Sequence, residues 1–170
     1  MEMETAAPAV RLRIQAHLHW LRDELAVIDE TVRTTIEQCP LWRTRDDLLR
    51  TVPGIGEGTS HKLIAGLPEL GQLTSKKISA LVGIVPYNRD SGTFRGQRRI
   101  FGGRAEVRTA LYMATFSAIR CNPIIRAHYH SLRQRGKPYK VAMVACMRKL
   151  LVILNTMVRC NSPWCPARPV

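Results

Sequence analysis

Apolar residues in the first quarter of the chain fall at Ile14, Leu18, Leu21, Leu25, Ile28 and Val32, in steps of four, three, four, three and four. Steps that alternate in this way keep every side chain on one narrow stripe of a helix, the seam pattern of coiled coils. The positions between are charged or polar, as in "RDELAVIDET". The spacing predicts one long helix over 9–40, ended by Pro40, whose ring cannot continue a helix. Residues 1–8 show no such period and are expected to be disordered. A stripe this narrow suits a partner helix, which would make the segment a connector or coiled-coil arm for self-association. An amphipathic helix folded back on its own domain fits the same pattern.

Past Pro40 the pattern breaks into shorter pieces. A helix is predicted around residues 45–51, with Leu48, Leu49 and then Val52 as apolar positions. The run "VPGIGEGTSHKLIAGL" follows. Its Pro53-Gly54-Ile55-Gly56 supplies a tight turn, and a second helix should start at Gly58 or Thr59 and bury Leu63 and Ile64. This is the helix-hairpin-helix pattern. Gly54 and Gly56 permit backbone N–H groups to face outward beside a helix start, a ready anion site, and Lys62 adds a charge for the same phosphate. A hairpin that only packs two helices together fits equally.

"SKKISALVG" predicts a helix over 75–83, with Ser75 as N-cap, Ile78, Leu81 and Val82 turned inward, and Gly83 ending it. Helical spacing resumes at Ala105 and runs to Arg120 on Val107, Leu111, Ala114, Ala118 and Ile119. Asn122-Pro123 reads as an N-cap with proline at the first helical position, opening a helix to about Arg135 that Gly136 closes. The last helix, from Pro138 or Tyr139 to Val158, is apolar at Val141, Val144, Ala145, Leu150, Leu151, Ile153 and Leu154, and should be the central core helix. The tail "CNSPWCPARPV", residues 160–170, is broken by three prolines and should be irregular. The predicted fold class is all-α: a long N-terminal coiled-coil-like helix, then a helical domain over 41–159 with a helix-hairpin-helix motif and one inserted basic loop.

That loop lies within "VPYNRDSGTFRGQRRIFGGR", residues 85–104. It carries Arg89, Arg95, Arg98, Arg99 and Arg104 against a single acid, Asp90, and has too few apolar side chains to build a core. Charge over the whole chain gives the loop its meaning. The net formal charge is +13. Residues 1–50 hold seven Lys/Arg and nine Asp/Glu, residues 51–106 eight and four, and residues 107–170 eleven and none. A chain that grows steadily more basic points to a polyanionic partner for its last two thirds; ribosomal or membrane-surface binding suits the charge as well, so charge alone does not choose.

The remaining chemistry mostly excludes. Five cysteines, Cys39, Cys121, Cys146, Cys160 and Cys165, form no CxxC pair and stand at no metal-ligand spacing from a histidine. They read as reduced thiols of a cytoplasmic protein, and no metal site is expected in this chain. The N-terminal "MEMETAAPAV" is acidic and lacks the apolar stretch of a signal peptide. The longest apolar run, near 141–158, is interrupted by Arg148 and Lys149, so no membrane span is expected. Asp-Ser-Gly at residues 90–92 is an ordinary turn tripeptide, and Ser91 taken alone reads as a turn residue.

Four segments together carry a resemblance. "LLRTVPGIG", "ISALVGIVPYNRDSG", "RRIFGGRAEVRTALYMA" and "CNPIIRAHYHSLRQRGKPYKVAMVACMRKLLVILN" are similar, in order and spacing, to the C-terminal transposase domain of Piv-type DNA invertases and insertion-sequence one-ten transposases. The likeness runs from Leu48 to Arg159. Members of that family have an N-terminal RuvC-like nuclease domain with a metal-binding acidic tetrad, then a coiled-coil connector, then this domain. They are recombinases guided by a structured RNA, with a serine of the C-terminal domain as a second catalytic element. The resemblance places that serine at Ser91, followed by Gly92, and its Gly-Gly-Arg and following arginine at Gly102, Gly103, Arg104 and Arg108. The nuclease domain has no counterpart here, and Mg²⁺ is expected only in that missing domain.

A serine attacking a DNA phosphodiester keeps the bond energy in a phosphoserine link. Serine is a weak nucleophile alone and needs strong stabilisation of the charge built up at phosphorus. Arginine forks bind phosphate oxygens bidentately and suit that task. Two function classes stay open: a DNA recombinase domain using Ser91, truncated and inactive alone, and a non-catalytic helix-hairpin-helix module for nucleic acid. Expected partners are DNA, a structured guide RNA, and a second copy or a full-length transposase joined through the N-terminal helix.

Overall fold

The computed structural model describes residues 8–87 and 99–166. The described residues form seven helices and one minimal strand pair. The chain separates into two compact units, one up to Pro40 and one from Leu41 onward.

The first unit is a single helix, α1 (Pro8–Gln38). Its seam is exposed along its whole length, from Ile14 at 39% and Leu18 at 41% to Leu25 at 59% and Val32 at 38%. Surface pairs such as Arg33 with Glu30 decorate the remaining faces. The second unit holds α2 (Pro40–Arg50), α3 (Glu57–Gly66), α4 (Ser75–Val82), α5 (Ala105–Cys121), α6 (Pro123–Gln134) and α7 (Tyr139–Cys160). The all-α expectation therefore holds. The helix predicted around 45–51 starts five residues earlier, at Pro40, because a proline at the first turn loses no hydrogen bond there.

α7 is the core of this unit, with α4, α5 and α6 packed on it. Cys146, Leu150, Leu151 and Leu154 on α7 are fully buried, as are Leu49, Leu63, Leu67, Ile78, Val82, Leu111, Ala118 and Ile125 around them. α7 is long and apolar enough to cross a membrane, with a mean hydropathy of 1.8 over its most apolar stretch, and much of that stretch is buried among the other helices. One reading of α7 needs correction. Val141 is 52% exposed while Ala142 and Met143 beside it are buried, so it stands on the outward face of the first turn. The tail after Cys160 is irregular to Pro166 but packs back, with Trp164 against the core and its N–H bonded to the Thr51 hydroxyl at 3.0 Å.

Local signals explain most boundaries. Asn122 caps α6 by accepting from the N–H groups of Ile124 and Ile125 at 3.1 and 3.2 Å. Gly83 ends α4 in the left-handed region. The N-cap of α4 is Thr74 rather than Ser75, since Thr74 has the extended backbone and its side chain accepts from Lys77 N–H. The buried amide of Asn155 on α7 accepts from Gly71 N–H at 2.8 Å and donates to Leu73 carbonyl at 2.9 Å, holding the α3–α4 connection in place.

Candidate nucleic-acid interface

The basic loop leaves the helical unit through two strands. β1 (Pro86–Tyr87) and β2 (Arg99–Ile100) pair antiparallel, Pro86 opposite Ile100 and Tyr87 opposite Arg99. Ser91, Gly92, Arg89, Arg95 and Arg98 lie outside the described residues, as does the side chain of Arg99. The base of the loop is fully described.

Two glycines cross at that base. Gly83 and Gly103 have φ of 77° and 71°. A Cβ on Gly103 would stand 2.5 Å from the Val82 carbonyl carbon and 2.6 Å from Gly83 Cα; one on Gly83 would stand 2.9 Å from the Gly102 carbonyl carbon. Only glycine permits two backbones this close in this conformation. Two arginines lock the crossing. Arg104 N–H donates to Leu81 carbonyl at 3.2 Å. Its guanidinium grips Glu69 bidentately at 2.5 and 2.6 Å and also donates to Gly66 carbonyl at 2.8 Å. Arg108 donates to Val82 carbonyl at 3.2 Å and to Gly102 carbonyl. The bond from Arg104 holds the Glu69 carboxyl below its usual range, and the carboxylate in turn raises Arg104. Both arginines, read from sequence as phosphate ligands, are thus engaged inside the fold. Glu69, the anchor of Arg104, gave no sequence signal, because it lies 35 residues from its partner.

The hairpin also divides its glycines. Gly54 has φ of 101°, and a Cβ there would stand 2.7 Å from Ala118 Cα on α5. Its bareness serves the packing of the turn on α5. Gly56 caps α3 at φ −95°, a conformation open to any residue, and a Cβ would meet nothing within 4 Å. The N–H groups of Thr59 and Ser60 are used on Gly56 carbonyl at 3.1 and 3.0 Å. Glu57 stands in the first turn of α3, where the helix dipole favours a negative charge. Exposed Lys62 lines a groove of about 580 Å³ between α3 and α5, together with Gly58, Gly66, Glu106 and Met113.

Asp46, which reads from sequence as a solvated acid or an Arg45 partner, is 7% exposed. It takes Arg50 at 3.3 Å and His61 at 3.7 Å, linking α2 to α3. His61 thus stands beside a buried carboxylate that its sequence neighbours did not reveal, at a distance beyond a hydrogen bond. His128 on α6 is pushed below its ordinary value by burial, then by Lys149 and Arg135, which marks a cationic zone on α6 and α7. Burial pushes the Cys146 thiol up to about 11, as suits a core thiol. Among the described residues no three His, Cys, Asp or Glu side chains gather as a metal cage.

Comparison with known proteins adds identity to this geometry. The family model "Transposase IS116/IS110/IS902 family" matches residues 46–130, half of the chain, from α2 through the loop into α6. The pilin gene-inverting protein of Moraxella bovis is 31% identical over 150 residues, 86% of this chain and 46% of that protein. Its counterpart from Moraxella lacunata aligns with the same identity and coverage. The 43.6 kDa protein of insertion element IS110 from Streptomyces coelicolor is 23% identical over 141 residues, 82% of this chain and 34% of that one. The chain thus spans about half the length, or less, of the curated relatives it matches.

Proposed function

The chain belongs to the IS116/IS110/IS902 transposase family, and from that premise we propose that it acts as the DNA-binding C-terminal domain of a transposase or DNA invertase. One observation carries the reading: the matched residues centre on a basic loop whose base is locked by the Gly83–Gly103 crossing, Arg104 and Arg108. A crossing held so firmly gives the residues on either side of this segment fixed positions, and a fixed support is what orientation of a reacting group requires.

Ser91, which lies between those ends in the sequence, supplies the nucleophile. Its Oγ forms a bond to phosphorus while a sugar oxygen leaves, and the phosphoserine stores the bond for rejoining. Arg89, Arg95, Arg98 and Arg99 neutralise the charge that gathers on the phosphate oxygens. Arg104 and Arg108 serve one step behind, by holding the platform. Alone, the chain binds without cutting; activity needs a partner with the nuclease domain. A structured guide RNA is a second polyanion for the same basic surface. The open seam of α1 brings two copies together, or one copy and a full-length transposase. Sedimentation would show Leu18→Lys with Leu25→Lys as a monomer; an unchanged mass removes α1 from assembly.

The decisive experiment mixes this chain with a full-length relative whose own serine is mutated, on a DNA substrate of that relative. A covalent protein–DNA adduct on this chain is expected, and Ser91→Ala should abolish it. Absence of the adduct, or its survival in Ser91→Ala, overturns the nucleophile and leaves a non-catalytic nucleic-acid-binding module.

A further inference from the structure

The solvent side of the α5–α7 region carries rings where a core helix would carry charge. Tyr112, Phe116 and Arg120 follow one another at four-residue spacing on α5, beside the buried stripe of Leu111, Ala114 and Ala118. Tyr112 is 39% exposed and Phe116 40%. The Arg120 guanidinium lies over the Phe116 ring at 4.6 Å. From the start of α7, Tyr139 meets this row, its hydroxyl 3.3 Å from that of Tyr112. Tyr129 of α6, half-buried against the core, sets its ring edge-on to Tyr139 at 6.4 Å and so fixes it. Sequence spacing had suggested that Tyr112 and Tyr129 are packing residues. That fits Tyr129, whereas Tyr112 stands at the surface with Tyr139.

Exposed rings normally cost solubility, and here they sit in the most cationic part of the molecule. Residues 107–170 hold eleven Lys/Arg and no acid, and Lys140 adjoins Tyr139. A second copy of the chain would bring an equally basic face against this one, which like charges oppose. A polyanion with flat apolar faces satisfies both features. Bases inside a duplex have their faces covered by neighbours, so only an unpaired base can stack on a protein ring. We propose that Tyr112, Phe116 and Tyr139, rimmed by Arg120 and Lys140, form a stacking platform for unpaired bases of a DNA strand. The proposal rests on the reading of the chain as a DNA-binding domain and adds the state of the DNA it takes there. Phosphates of the strand lie along the lysine and arginine rim, while the Arg120 plane, already on Phe116, extends the stack. The hydroxyl bond with Tyr112 raises the Tyr139 phenol above its ordinary value.

The test uses the whole chain and four fluorescein-labelled ligands at fixed salt. These are a DNA strand, the same strand with abasic sites in place of bases, the matching duplex, and an RNA strand of the same sequence. The wild type should hold the DNA strand at least about 10-fold more tightly than the abasic one, since phosphates are equal and only stacking differs. Tyr112→Ala, Phe116→Ala and Tyr139→Ala should each weaken strand binding about 5-fold or more and leave the duplex within about twofold. Tyr112→Phe and Tyr139→Phe, which keep the rings, should bind as wild type. Equal binding of the abasic strand overturns the platform with no variant needed. So does a parallel loss on duplex, or tighter binding of RNA than of DNA. A wild type that self-associates and a triple alanine variant that does not would assign the face to a second copy instead. Failure to bind either the DNA strand or the duplex removes the DNA reading itself, while DNA binding without preference for bases removes only the platform.

Discussion

Two glycine-rich connections in this chain look alike on paper and are built differently. The hairpin at 53–56 reads as a backbone cradle for phosphate, and the loop base at 83 and 102–103 is just as rich in glycine. At the loop base both crossing glycines are pressed backbone to backbone, with Arg104 and Arg108 tied across them. In the hairpin, Gly54 is pressed against Ala118 while Gly56 faces open space. A glycine thus reports either a close approach or an open turn, and the neighbour across the fold decides which. The loop base is architecture throughout. The hairpin combines one architectural glycine with one that structure does not require.

The largest expected effect breaks the loop base. Gly103→Ala places a Cβ into the Val82 carbonyl carbon at a φ of 71°. Left-handed strain and overpacking together should cost about 3–5 kcal/mol in urea unfolding. A loss below about 1 kcal/mol would mean the crossing relaxes freely, and the loop would then lack the fixed platform on which the proposed chemistry depends.

These contacts also mark the limit of what the sequence could tell. The buried stripes of α3, α4 and α5 were legible, because burial on a helix repeats within a few residues and Asn122-Pro123, Gly83 and Gly136 punctuate it. Adjacent hydroxyls blurred one boundary, Thr74 against Ser75. The pairings that build the site were not legible. Glu69 with Arg104, Asp46 with His61, Gly54 with Ala118 and Tyr112 with Tyr139 are joined only by the fold, at separations where local pattern carries no information. Ser91 has no period to betray it, and only resemblance singles it out from an ordinary turn.

A middle-sized effect sharpens the electrostatic half of the comparison. Glu69→Gln leaves the shape of the Arg104 clamp and removes its charge, for a loss of about 1 kcal/mol at neutral pH. The pH dependence has a definite sign. Glu69 is held below its ordinary value of 4.5 in the folded chain, so its stabilisation is complete above that value and is lost as pH falls through the folded value. Wild type and variant should therefore converge in stability on acidification. Curves that stay parallel from neutral to acid pH would place the value of Glu69 in its shape rather than its charge.

The smallest structural effect is the most telling about function. Gly56→Ala adds a methyl group to open space at an ordinary φ, and should alter stability by no more than about 0.5 kcal/mol. Gly54→Ala in the same turn should destabilise by about 2–4 kcal/mol through Ala118 and the positive φ, so it cannot separate folding from binding. Gly56 can. If the start of α3 receives a phosphate, as the hairpin pattern suggests, a side chain at Gly56 stands in its approach, and larger variants such as Gly56→Val should lose DNA affinity in a chain that melts normally. Glu57, placed in the same first turn, argues the other way, because its carboxylate already answers the helix dipole. Retention of Gly56→Val on DNA, measured beside its melting curve, decides between the two. Unchanged retention would make the hairpin a packing unit and leave nucleic-acid contact to the basic loop and the rings of α5 and α7.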